Sequence, residues 1–313
     1  MSPPPPPLGR PRKKDAQLFD PALCDTELID VRTQFTQGRW SPVRAMLSAT
    51  ADDWDRRGHR LTVLAQTPAA TAWAREWLLA EPESADAATL LACATVYAAL
   101  RRKASPEAAE EACRTAAARQ PADPTPWLAL LLLSGTHGNP EGFARHFDQV
   151  RARHREHHHA HHLMVARLAE GAPGGGHDPL HEVYDFASWA AEESPADSPL
   201  AVLPVIAHSE RYRVLAAAGQ APDPTDYWSG RRARQVLRSA FDWWLEWERE
   251  DHPRNRIDLN FLAHAKLCEG RPAEAAALFH RIGRHATRAP WSYPDRDPHK
   301  AFLAARTAAL GSA

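Results

Sequence analysis

The stretch LAHAKLCEGRPAEAAALFHRI, Leu262–Ile282, reads as two short helices with a turn between them. Ala263 sits at a small-residue position of the first, and Gly270 marks the turn. Ala275, Phe279 and Ile282 then recur at spacings of four and three, which puts them on one face of the second helix. Small residues let two helices approach closely, and a phenylalanine fills the groove between them. A weaker copy runs from Leu28 to Leu47, with Gly38 and Trp40 at the turn and Val43 and Leu47 beyond it.

Outward from these hairpins, the chain from about Thr26 reads as helix after helix. Alanine, leucine, arginine and glutamate dominate, and all four are strong helix formers. Alternating strand patterns are nearly absent. The breaks are regular: Ser105-Pro106, Asp123-Pro124, Asn139-Pro140, Asp178-Pro179, Ser198-Pro199, Asp223-Pro224 and Asp297-Pro298. Each pairs a capping side chain with a proline that has no N–H to leave unbonded in the first turn. These rules predict about thirteen to fifteen helices. Amphipathic helices joined by short turns bury their stripes only against neighbours, so the predicted fold is all-α, a tetratricopeptide-like α-α superhelix of stacked helical hairpins.

Residues 1–22 read as a disordered, Pro-rich basic tail, with Pro3–Pro7 ahead of Arg10, Arg12, Lys13 and Lys14. Residues 23–172 form an N-terminal helical half, 173–178 a Gly-rich linker, and 179–313 a C-terminal half packed on the first. The 313 residues are 44% hydrophobic, enough for a sizeable core. The formal net charge of −1 offers no field to hold a polyanion, so nucleic-acid binding is not expected. The same near-neutral balance permits a homo-oligomer. No apolar run reaches the roughly 18 residues of a membrane span, and the N-terminus lacks the apolar core of a secretory signal. Cys24, Cys93, Cys113 and Cys268 are scattered and form no CxxC pair, which fits a reducing, cytoplasmic setting.

Three places carry a family resemblance: DPTPW at Asp123–Trp127, the histidine-bearing segment His157–Leu168, and SPLAVLPVIAHSERY at Ser198–Tyr212. Over about Leu78–Tyr212 the chain resembles an uncharacterised family of tetratricopeptide-like proteins common in actinobacteria. It differs from that family at Gly171–His177, where GAPGGGH stands in place of a more ordered turn. The resemblance implies a helical-repeat fold; it implies no activity and no catalytic residues.

The most unusual feature is a histidine cluster: His154, His157, His158, His159, His161 and His162, with His177 and His181 beyond it. On a continuous helix, His154, His157 and His161 share a face with Met164, Val165 and Leu168, while His158 and His162 flank it and His159 points away. His157 and His161, one turn apart, with His181, are the expected ligands if a divalent metal such as zinc is held here; Glu182 or Asp185 is an alternative third ligand. Against this, no HExxH order is present, and Arg151, Arg153 and Arg155 would repel a cation. A packed histidine face is the simpler account, and a pH-responsive patch the other alternative. Asp52, Asp53 and Asp55 in DDWD read as an acidic helix start.

Nucleophile and phosphate-loop motifs are missing. Arg231, Arg232, Arg234 and Arg238 make a local basic face, with Trp243, Trp244 and Trp247 further along FDWWLEWERE. Trp243 and Trp247 share a helical face, as either core packing or an exposed hot spot. The favoured reading is therefore a non-catalytic scaffold or adaptor. It would bind a protein or peptide partner through Arg231, Arg234, Arg238, Trp243 and Trp247, with no cofactor. The alternative is a metal-dependent enzyme or a metal or pH sensor built on the His154–His181 cluster.

Overall fold

Capping side chains start the helices at the positions their sequence marks. Asp25, Asp53, Ser84, Ser105, Ser198 and Asp223 each accept a backbone N–H from the first turn that follows. Asp123 takes the N–H of Thr125 at 2.7 Å, and Asp297 takes those of His299 and Lys300. The computed structural model describes residues 18–137, 140–171, 181–247 and 251–311. The Gly-rich segment 173–178 and residues 1–17 of the basic tail lie outside the described residues.

Sixteen α-helices and one 3-10 turn follow, with no strand among the described residues. The first five are α1 (Thr26–Phe35), α2 (Ser41–Thr50), α3 (Trp54–Ala65), α4 (Ala70–Ala80) and α5 (Ala85–Leu100). Next come α6 (Pro106–Arg119), α7 (Thr125–His137), α8 (Pro140–Arg151), α9 (His158–Ala169) and α10 (Glu182–Glu192). After the 3-10 turn Pro199–Val202 come α11 (Leu203–Ala217), α12 (Pro224–Ser229), α13 (Arg231–Trp247), α14 (Asn255–Cys268), α15 (Pro272–Ile282) and α16 (Pro298–Gly311). The count exceeds the expected thirteen to fifteen. Short helices such as α12, ended at once by Gly230, are too brief to display an apolar period.

Neighbouring helices pack as hairpins, including α1 on α2, α5 on α6, α7 on α8, α10 on α11 and α14 on α15. A second set of contacts skips one helix: α3 to α5, α5 to α7, α7 to α9 and α9 to α11, continued by α11 to α14. Helices of this row are buried on nearly every side; α3 buries all of Arg57–Ala65 and α14 all of Asp258–Lys266. The helices between them bury one stripe each, such as Ala109, Cys113 and Ala116 on α6. In the quoted hairpin, Ala263, Ala275, Phe279 and Ile282 are fully buried and Gly270 has a φ of +80°, as their spacing requires.

The row also buries charge. Arg57 on α3 lies between Asp86 and Asp123, its Nε 2.9 Å from the Asp123 carboxylate. Arg60 pairs with Asp25 at 2.8 Å and with Glu27 at 2.7 Å. At the surface, Arg56 of α3 donates to the backbone carbonyl of Asp251, just before α14. Residues 18–22, assigned to the tail by sequence, are packed instead. Leu18 and Phe19 lie against the C-terminal apolar cluster, Ala22 is fully buried, and Asp20 forms a two-pronged pair with Arg32. Their apolar side chains cover part of that cluster. No described helix is long and apolar enough to cross a membrane.

Candidate metal centre

Asp55, in the first turn of α3, reaches across the interior to the start of α9. Its Oδ1 accepts the backbone N–H of His158 at 3.0 Å, so a residue 103 positions away satisfies one orphan donor of that helix. Its Oδ2 lies 3.0 Å from His154 Nε2 and 3.5 Å from His252 Nε2, and its Oδ1 lies 3.5 Å from His157 Nδ1. Burial pushes the Asp55 carboxyl upward, but the histidines around it prevail and hold it well below the usual carboxylate range. Burial likewise works against a charge on His154, and the Asp55 carboxylate still raises its pKa.

One turn further in, His158 and His162 face Asp258 of α14. His158 Nε2 is 2.8 Å from Asp258 Oδ2, and His162 Nε2 is 3.1 Å from Asp258 Oδ1. The two imidazole centroids are 4.2 Å apart, as expected for side chains four residues apart on a helix. A ligand atom from each of the three residues fits within 4.8 Å of the others, and no other such group forms among the described residues. Asp258 Oδ1 is buried and receives no hydrogen bond, although His162 is in ion-pair range. His158 Nδ1 is likewise buried without a partner. Burial pushes His158 down to about 3 against the pull of Asp258, so its ring is neutral near pH 7. Burial would raise Asp258, but His158 and His162 hold it below the usual range. A neutral imidazole beside an ionised carboxylate is the protonation state that a metal ligand set requires.

The residues expected as ligands lie elsewhere. His157 is the N-cap of α9, with non-helical φ and ψ of −54° and 102°, and its Nδ1 accepts from Ala160 N–H. His161 donates from Nδ1 to the His157 carbonyl at 2.9 Å and packs edge-on against Phe147. His181 caps α10; its Nδ1 accepts the Val183 N–H and its Nε2 bonds the Gly171 carbonyl. His157, His161 and His181 therefore do not converge. Because His157 stands before α9 as its cap, the pair set one turn apart wholly within the helix is His158 and His162. Asp258 and Asp55 were missed: the first is 100 residues from His158, and the second was legible only as part of DDWD.

The arginines expected to repel a cation turn away. Arg151 lies over the rings of Phe147 and Trp189, Arg153 over Trp127, and Arg155 pairs with Glu193 at 2.7 Å. On α13, Arg231, Arg234 and Arg238 are exposed on one face. Arg232 reaches Asp185 at 3.2 Å. Trp243 is half-buried and donates from Nε1 to the Ala196 carbonyl at 2.8 Å, and Trp244 is in the core. Trp247 and Leu245 remain 40% and 53% exposed. Comparison of the chain with protein-family models, with curated proteins and with solved structures finds no match.

Proposed function

We propose that this chain is a tetratricopeptide-like α-α superhelix, of the kind its motifs resemble, that binds a divalent metal such as zinc through His158, His162 and Asp258. The superhelix is supported by the alternation of hairpin contacts with contacts between every second helix. The metal reading is carried by the meeting of two imidazoles and a carboxylate within 4.8 Å in a buried interior. Two histidines and one acid form a recurrent zinc donor set that leaves a fourth position for water or a further ligand. The chain then acts as a metal-binding or metal-sensing protein, and no reaction is assigned to it. The four free cysteines support a reducing, cytoplasmic setting.

Elemental analysis tests this reading on untagged protein, stripped with a chelator and equilibrated with zinc. About one zinc per chain is expected. His162→Ala and Asp258→Asn should each abolish that binding while the helical spectrum is kept. Substoichiometric zinc in folded wild-type protein refutes the reading.

A second reading, a scaffold or adaptor for a protein or peptide partner, rests on α13. Its exposed Arg231, Arg234 and Arg238 share one face, and exposed Leu245 and Trp247 follow in its last turn. Capture of an acidic partner that is lost on changing all three arginines to glutamate would support it; capture that survives the change would refute it.

A further inference from the structure

We propose that the open cavity of about 460 Å³ lined by the N-terminal segment, α3, α5, α9, α14 and the segment after α15 binds a small organic anion, a carboxylate or phosphate head on an apolar body. Its volume lies in the range of small-molecule sites. It includes none of His158, His162 and Asp258, so the proposal is independent of the metal reading.

The lining divides by chemistry. Phe19, Val63 and Ile257 give apolar walls, while His59, His159 and Arg254 bring imidazole and guanidinium groups to the same lining and Arg288 stands exposed at its edge. Three of their nitrogens, His59 Nε2, His159 Nδ1 and Arg254 Nε, are buried with no hydrogen-bond partner. His59 itself is only 3% exposed, and its one hydrogen bond is to the backbone of Ala22. A buried polar atom left unpaired costs its full desolvation, so three around one cavity mark places where a ligand atom belongs. The only acid in the lining, Asp20, is committed to Arg32 through both oxygens, at 2.7 and 2.6 Å. The charge offered to a ligand is therefore positive.

The protonation states agree with an undercompensated cationic centre. Burial lowers Arg254 to about 10 even though Asp258 and Asp55 pull the other way. Burial, with Arg254 adding to it, pushes His59 down to about 3. An anion at this point would relieve both, and a guanidinium with a free N–H recognises carboxylate and phosphate oxygens by charge-assisted hydrogen bonds. A cationic ligand would meet Arg254, and a purely apolar one would leave the three nitrogens unpaired.

Isothermal titration calorimetry of the full chain, stripped of metal, tests this with octanoate, octyl phosphate, octanol and octylammonium. At least one of the two anions should bind at least about tenfold more tightly than octanol, with no binding of octylammonium; their ratio distinguishes a carboxylate site from a phosphate site. Arg254→Gln should weaken the anion about tenfold or more, the loss of a charge-assisted hydrogen bond. Ile257→Trp keeps all the polar groups and fills the space, so it should abolish binding; it carries the test if Arg254→Gln does not fold. Equal affinity for octanol and the anions, undiminished binding in folded Ile257→Trp, or no binding of either anion at millimolar concentration would overturn the proposal.

Discussion

Acid should unfold this protein early, and the buried histidines set the size of the effect. Burial first of all pushes His59, His158 and His264 down to about 3, and His157 and His161 down to about 4. In the unfolded chain each titrates near its ordinary value of about 6.5. As pH falls through 6.5 the unfolded state takes up protons that the folded state refuses, until it too titrates near 4 and below. The stability these neutral rings contribute is thus intact above 6.5 and is lost progressively beneath it. Between pH 7.5 and 5.5 each costs about 1.4 kcal/mol, so these five cost about 7 kcal/mol, and His159, which burial also holds well below its ordinary value, adds to the loss. His154 works in the opposite direction, because Asp55 raises it against burial and the folded state gains a proton there first. A loss of that order is comparable with the roughly 5–15 kcal/mol that holds a domain together. Urea titration of metal-free protein is the assay. At a slope of about 3 kcal/mol per molar, the midpoint should fall by about 2 M between the two pH values. His264→Phe, which removes one buried titrating ring beside Trp291, should cut the loss by about 1.4 kcal/mol. An unchanged midpoint would mean that the rings protonate inside the folded chain, and the reasoning would fail.

Two further outcomes follow from the packing. Phe279→Ala opens a cavity between Trp291 and Phe302, whose ring centroids lie 5.7 and 5.6 Å from its own, and should cost about 3–5 kcal/mol by urea titration. A loss below about 1 kcal/mol would show that the hairpin collapses around the gap. Asp123→Ala strips Arg57 of a buried partner and removes the cap of α7, for about 3–5 kcal/mol; a smaller loss than that of Arg114→Ala, whose ion pairs are exposed, would contradict the assignment.

Much of the architecture could be read directly from neighbouring residues. Helix starts at Ser105, Ser198, Asp223 and Asp297 are local events, decided by a side-chain oxygen within three residues of the N–H it accepts. The two hairpins around Gly38 and Gly270 are local as well, because both glycines hold positive φ, at 85° and 80°. The motif at Asp123 has a reason the sequence conceals: its carboxylate caps α7 and also meets Arg57, 66 residues earlier.

The candidate site lies at the opposite extreme. A histidine run on a helix announces itself, yet which two rings align depends on where the helix begins. That point is set jointly by His157 as a cap and by Asp55, which takes the N–H of His158 from another helix. The third residue of the candidate site and part of the lining of the adjoining cavity come from α14, whose Asp258 reaches His158 of α9 through packing alone. The sequence alone therefore determined an all-helical chain of capped, amphipathic segments, since propensity, capping and periodicity act over a few residues. Only the tertiary structure decided that His158, His162 and Asp258 meet, because residues 100 apart are juxtaposed by packing among helices and by no local pattern.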